Sequence, residues 1–173
     1  MFSLQRIYHI LYESLRKESS LVPDIPMPAV YEIPPRHTPR TDNEYLEQMT
    51  KAIFQAGFSW AVIRNKWDNF RRAFHGFDIE AVADYGLKDL ERLSQDRGIV
   101  RNRQKIAATV ENAGLMKQLI EGYGSFKQYL DSLQGNYYER SEVLRGQFKH
   151  LGRTGVFVFL YCVNEEVPAW EER

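Results

Sequence analysis

Residues 149–155, KHLGRTG, set two glycines three apart, Gly152 and Gly155, between a helix-like segment and the apolar run VFVFLYCV. A helix, a tight turn and a second helix leave backbone N–H groups unpaired where the second helix begins and its dipole is positive. Such a turn holds an anion by geometry and needs little net charge to do so. Lys149, Arg153 and Thr154 lie in or beside it. The plainer reading of the same residues is a glycine-capped turn with no ligand. A second stretch, QAGFSW at 55–60, puts Trp60 close to Gly57 and Ser59 at the end of a helix-like run. Its indole is either core or a flat wall on which a planar ligand stacks. A third stretch carries Arg97, Arg101, Arg103 and Lys105 with no acid between them. That pattern suits either a face for a charged backbone or ordinary solvated surface.

The elements that must position these residues read as helices. Leu4, Ile7, Tyr8, Leu11, Tyr12 and Leu15 recur at helical spacing and predict an N-terminal helix. Six of the seven prolines then fall between residues 19 and 40, which predicts an extended arm. Residues 1–40 thus form an N-terminal helix and a proline-rich arm, and 41–173 a helical domain. Thr41 with Glu44 three residues on has the form of a capping box, opening a helix that runs to about Gly57. Asp78 caps a short helix ending near Gly86, and Leu87, Leu90 and Leu93 give the next one an apolar stripe. Arg101 to about Tyr123 is a longer helix with Ile106, Val110, Ala113 and Ile120 inward. Ser125 and Ser141 are predicted N-caps of two more, the first burying Phe126, Tyr129 and Leu133, the second Leu144 and Phe148. VFVFLYCV is rich in β-branched and aromatic residues, as strands are. With helical neighbours and no partner strand, it reads as a buried helix. The fold class is all-α, a compact bundle of short helices.

A chain of 173 residues suffices for one domain with a real core, or one domain plus an arm. Its 43% hydrophobic and 13% aromatic content argues for a folded protein over a disordered one. No apolar run approaches the roughly 20 residues of a bilayer span. The opening MFSLQRIYHILYESLRKESS has neither the apolar core nor the small-residue cleavage site of a signal peptide. The one cysteine, Cys162, excludes an internal disulfide and fits a reducing cytoplasm. A formal net charge of zero weakens nucleic-acid binding through bulk electrostatics, although it leaves room for local basic patches.

Residues 55–113 resemble the core of the 3-methyladenine DNA glycosylase I family. The resemblance rests on motifs in order: Gln55-Ala56-Gly57-Phe58-Ser59-Trp60, then Phe70 to Phe74 with Phe77-Asp78, then Gly98-Ile99-Val100-Arg101-Asn102 followed by Lys105-Ile106. It is close over about a third of the chain. A looser likeness extends to 149–155, which resembles the helix-hairpin-helix of the wider glycosylase superfamily. The resemblance implies an all-α fold and repair of alkylated DNA by flipping out the damaged nucleotide and hydrolysing its N-glycosidic bond. Trp60 matches the base-stacking tryptophan of the family, and an electron-rich face suits a cationic base such as 3-methyladenine. Tyr31 matches another aromatic of the pocket; anchoring the arm to the core is its other reading. Arg101, Arg103 and Lys105, with Lys149, Gly152, Arg153, Thr154 and Gly155 of the hairpin, would lie near the phosphates of double-stranded DNA.

Two departures stand against the pattern. The glutamate of the family's pocket falls eight residues before the stacking tryptophan, and here that position is Ala52. Glu47 lies about 140° away around a 3.6-residue helix and cannot replace it. Gln48 and Gln55 flank Ala52 on its helical face and could touch a base edge, but neither is a general base, so no catalytic residue is assigned. The family also ties its termini with zinc through two cysteines and two histidines. Cys162 alone, with His9, His37, His75 and His150 at unpaired spacings, predicts no metal and no cofactor, and the N-terminal arm as a substitute tether. The expectation is a monomeric, cytoplasmic, monofunctional glycosylase acting on DNA with alkylated purines. The alternatives are a non-catalytic helix-hairpin-helix DNA-binding module, or a helical interaction domain that does not bind DNA.

Overall fold

Helical periodicity from Thr41 onward becomes eight α-helices in a computed structural model that describes residues 33–172. They are α1 (Asp42–Gln55), α2 (Trp60–Ala73), α3 (Ile79–Ala83), α4 (Leu87–Gln95), α5 (Arg103–Tyr123), α6 (Phe126–Ser132), α7 (Tyr137–Gln147) and α8 (Arg153–Cys162). One-turn 3₁₀ helices cover His75–Phe77 and Trp170–Glu172. No strand occurs among the described residues. The N-terminal helix expected over residues 4–15 and the proline-rich stretch up to residue 32 lie outside them.

The core forms around α1 and α8, which pack on each other while α1 also packs on α5. Tyr45, Leu46, Met49, Ile53 and Phe54 give α1 one sealed face. In α8 every residue from Gly155 to Leu160 is buried, so past its exposed first two residues no side of the helix over that stretch faces water. An all-round apolar helix belongs inside a bundle, and that is why VFVFLYCV is helix despite its strand-like composition. A second layer is aromatic. Trp67, Phe70, Phe74 and Phe77 stack in near-parallel steps of 5.0 to 6.3 Å. The chain turns between the last two rings through three consecutive left-handed residues, His75, Gly76 and Phe77. Only the glycine adopts that conformation without steric cost.

Several expected caps hold. Asp78 accepts from Ala81 N–H at 2.8 Å, and Ser125 from Gln128 N–H at 3.1 Å. Others are corrected. Thr41 is the N-cap residue of α1, but its side chain makes no cap bond. Glu44 accepts instead from Arg40 N–H at 3.0 Å and pairs with His37, and the helix stops at Gln55, not Gly57. Ser141 is inside α7 rather than at its start. Asn136 caps that helix, accepting from Tyr138 N–H at 2.9 Å and Glu139 N–H at 3.2 Å, while Glu139 accepts from Asn136 N–H at 2.8 Å. The reciprocal pair satisfies two orphan donors where a lone serine would satisfy one. Leu93 and Leu90 pack inward, whereas Leu87, the first residue of α4, is 85% exposed.

Residues 36–38 are fastened to the segment after α8. Arg36 donates to the Glu165 carbonyl at 2.6 Å, His37 N–H to the Cys162 carbonyl at 2.8 Å, and Asn164 Nδ2 to Thr38 Oγ1 at 2.9 Å. Arg36 also lies over the Tyr161 ring at 5.0 Å. Glu165 is fixed in turn by Arg140 at 3.0 Å and Lys127 at 3.3 Å.

Candidate nucleic-acid interface

The turn that delivers Trp60 is built by ending one helix and starting another within four residues. Ala56 closes α1, Gly57 takes φ of +78°, and Ser59 precedes α2 with no side-chain cap bond. A left-handed residue terminates a helix, and glycine does so at no Cβ cost. Ala56 to Ser59 are all exposed, Trp60 is half-buried, and Phe58 is 40% exposed. The described ring partner of Trp60 is Trp170, edge to face at 6.2 Å and 88°. The indole is thus bordered by another aromatic on the rim of the core.

Lys105 secures this turn from below. Its ammonium donates to the Ala56 carbonyl and, at 3.5 Å, to the Phe54 carbonyl, the open end of α1. It lies beneath the Phe58 ring at 4.9 Å and is 8% exposed. Burial holds its pKa below the ordinary lysine range. A cation at a helix C-terminus complements the dipole there. Among the cations expected beside phosphate, Lys105 is therefore the one turned inward. Arg101 and Arg103 are exposed at the start of α5, where Asn102 caps the helix by accepting from Lys105 N–H at 3.1 Å. Lys66 and Asn69 of α2 hold the approach to them: Lys66 donates to the Arg97 carbonyl at 2.9 Å, and Asn69 to the Gly98 carbonyl at 3.0 Å.

The second turn runs from Phe148 to Gly152. His150 takes φ of +56°, Leu151 is buried, and α8 begins after Gly152 with no side-chain cap bond. Lys149, Gly152, Arg153 and Thr154 are exposed, whereas Gly155 is buried against the Leu151 side chain. Asn112 holds the turn in place. Its Nδ2 donates to the Lys149 carbonyl at 3.1 Å, and its Oδ1 accepts from Lys149 N–H at 2.8 Å. The sequence carried no signal for this role; an asparagine in mid-helix reads as solvent-facing until a partner is known.

Lys105 and Asn112 are seven residues apart on α5. Seven residues are just under two turns, so both side chains project from one face, separated by about 10 Å of rise. Each grips the backbone of a different turn. The Trp60 turn and the glycine-bearing turn are therefore neighbours along the same face of α5.

Ala52 is buried at 3% exposure, with the half-buried Gln48 and the buried Gln55 on the same face of α1. Glu47 is committed elsewhere, accepting from Trp67 Nε1 at 2.6 Å and Arg71 Nε at 2.8 Å. Tyr31 lies outside the described residues. Among those residues no group of three histidine, cysteine, aspartate or glutamate side chains could hold a metal. Burial raises the Cys162 thiol to about 11, partly countered by nearby Lys51. A cleft of about 340 Å³ between Asn69, Arg72, Arg92 and Gly98 lies toward the other end of α2, about 14–18 Å of helix rise from Trp60.

An all-α bundle in which two helices joined by a glycine-bearing bend share a face with an aromatic turn has the helix-hairpin-helix glycosylase architecture. Residues 37–160 match the family model described as methyladenine glycosylase, and the chain belongs to that family. It is 39% identical over 93 residues to DNA-3-methyladenine glycosylase 1 of Escherichia coli K12, which covers 53% of this chain and 50% of that protein. It is 39% identical over 59 residues to DNA-3-methyladenine glycosylase of Haemophilus influenzae, covering 34% and 32%. The matches span half or less of the length of these curated relatives. Solved structures extend further. That of 3-methyladenine DNA glycosylase I from Staphylococcus aureus, a structural basis for 3-methyladenine recognition by that enzyme, superimposes with a TM-score of 0.65 at 26% identity over 73% of this chain and 78% of the other. A solution structure of a 3-methyladenine DNA glycosylase I, determined with base-perturbation studies of alkylated-base recognition, gives 0.59 at 29% identity over 76% and 79%.

Proposed function

We propose that this protein is a DNA glycosylase that removes alkylated purines, 3-methyladenine foremost, from duplex DNA in the cytoplasm. The observation that carries the reading is the pairing on α5 of a half-buried tryptophan turn with an uncapped helix start. Phosphate contacts fall to the N–H groups of Arg153, Thr154 and Gly155, and to Lys149, Arg153, Arg101 and Arg103. Lys105 acts indirectly, by holding the Trp60 turn. Extruding the nucleotide brings its base to the Trp60 ring, with Gln48 and Gln55 as candidates for the base edge and Phe58 facing the duplex. A base that pairs poorly costs less to extrude.

The bond broken joins C1′ of the deoxyribose to N9 of the purine. N3-methylation leaves the base cationic, so it takes the bonding electrons and departs neutral. Water adds its oxygen to C1′ and gives its proton to solvent, leaving an abasic site. A positively charged leaving group needs no proton from the enzyme, and this suits a pocket with Ala52 where the family pattern has glutamate. Cation–π attraction to the indole contributes about 0.5–2 kcal/mol to holding such a base, in addition to stacking.

The direct test is release of free 3-methyladenine from methylated duplex DNA, followed by chromatography. Release above the protein-free rate is expected. A rate equal to the protein-free control rejects the reading. A second reading is favoured by Ala52 together with the engagement of Glu47 by Trp67 and Arg71. In that case the protein binds abasic or distorted duplex through the hairpin and releases no base. Salt-sensitive duplex binding without release distinguishes it.

A further inference from the structure

The segment after α8 does more than close the bundle. It carries Trp170, 8% exposed, into a cluster of rings. Tyr161 and Phe157, one helical turn apart on α8, meet it edge to face at 4.8 and 5.6 Å. On another side Trp170 meets Trp60. The segment is anchored twice, by these rings and by the contacts of Glu165 with Arg140 and Lys127. Trp60, by contrast, opens α2 after four exposed residues, the last of them a serine that makes no cap bond. Trp60 is half-buried against the edge of the core, and Trp170 is the only described ring against it.

We propose that Trp170 is a positioning residue: it holds the Trp60 indole in the orientation that receives the base, so that residues 163–170 belong to the recognition apparatus. The inference rests on the base-stacking reading of Trp60. A platform that is already ordered loses less side-chain freedom when a base lands on it, and affinity rises accordingly. Edge-to-face geometry at 88° keeps the two rings from stacking on each other. Phenylalanine at 170 can still present a ring to Trp60, while leucine keeps the apolar bulk but offers none.

The experiment compares wild type, Trp170→Phe, Trp170→Leu and Trp60→Leu in the full chain. Equilibrium dialysis gives the Kd for free 3-methyladenine, near-ultraviolet circular dichroism reports the coupled indole pair, and thermal melting reports folding. The expected result is a Kd about tenfold weaker for Trp170→Leu at a temperature well below its melting point. Trp170→Phe is expected to stay within about twofold of wild type, and the indole couplet to vanish in both variants. A Trp170→Leu protein that is folded and binds 3-methyladenine like wild type overturns the proposal and leaves the role of Trp60 standing. Loss of binding equal in the Phe and Leu variants also overturns it, since the ring then confers nothing. Wild-type protein that binds no 3-methyladenine overturns the base-stacking reading itself, and the positioning role with it. If Trp170→Leu fails to fold, the Phe variant decides: a Kd weakened tenfold at unchanged melting temperature contradicts the role, and one near wild type with normal release of base supports it.

Discussion

The turns at 55–60 and 148–152 answer the same need by opposite means. Both join two helices, both are fastened from α5, and they sit about two helical turns apart along it. The first is held by a charged group: the Lys105 ammonium satisfies the carbonyls at the end of α1. The second is held by a neutral one, the two-way amide bracket from Asn112 to Lys149. At the first turn the clamp closes a helix C-terminus and leaves an aromatic side chain on show. At the second, the bracket binds backbone before the helix and leaves the N-terminus of α8 open. A surface for a planar base needs its backbone polarity silenced, because unsatisfied carbonyls would hold water where the base must lie. A surface for phosphate needs N–H donors left free. On the proposed reading the first turn meets the base and the second the phosphate.

The largest expected effect breaks the first turn. Trp60→Ala removes the stacking surface, and release of 3-methyladenine from methylated DNA should fall about a hundredfold, on a stacking worth of about 1–3 kcal/mol per base. If the indole is only packing, the loss appears instead as about 3–5 kcal/mol of stability, read by denaturant unfolding. Next is the second turn. Asn112→Leu leaves the Lys149 N–H and carbonyl without protein partners, at a cost of about 1–2 kcal/mol. Duplex affinity should fall with it while binding of free 3-methyladenine is retained; equal loss of both would erase the division of labour.

A third prediction uses the charge itself. Burial lowers the pKa of Lys105 in the folded state relative to the ordinary value near 10.5. Between the lowered value and 10.5 the unfolded chain binds a proton that the folded chain does not, so this group makes stability rise with pH in that alkaline window. Below the window its desolvation penalty is fully present. Lys105→Met should flatten that rise when melting temperatures are followed from neutral to alkaline pH. The same experiment on Asn112→Leu should leave the slope as in wild type, because an amide does not titrate. The smallest effect is at Arg153. Arg153→Ala should weaken duplex binding and reduce the salt slope of log K by about one phosphate contact. An unchanged slope would remove Arg153 from the interface.

How much of this was legible in sequence follows from the range of each interaction. Caps at Asp78 and Ser125 are local, within three residues, and were readable. The all-helical fold was readable too, even through the strand-like VFVFLYCV, because its neighbours offered no sheet. Local logic also misled. Thr41 and Glu44 have capping-box spacing, but His37 and the Arg40 N–H recruit the glutamate. Ser141 was a plausible cap until the reciprocal pair of Asn136 and Glu139 started α7 one turn earlier. Leu87 continued a stripe in sequence but stands at a helix end with no neighbour to cover it. The site divides the same way. Trp60 and the glycine-bearing bend announced themselves through ordered motifs. Asn112 acts on Lys149 across 37 residues and Trp60 meets Trp170 across 110, and no periodicity reports such pairs. Lys105 belonged visibly to a basic cluster, but only its placement under the end of α1 turns it from a surface cation into an internal brace.

The packing of α1 on α8, with Arg36, His37 and Thr38 bonded to residues 162–165, sets the order in which the chain can fold. The first described helix finds its principal partner more than a hundred residues later. Loops of that length close slowly, because their entropy must be lost before any contact rewards it. During synthesis the sealed face of α1 can meet α5 first but stays incompletely covered until α8 has left the ribosome. Refolding should be slower than for a helical protein of this size built from sequence neighbours, and a nascent chain halted before α8 should be a ready client for chaperones.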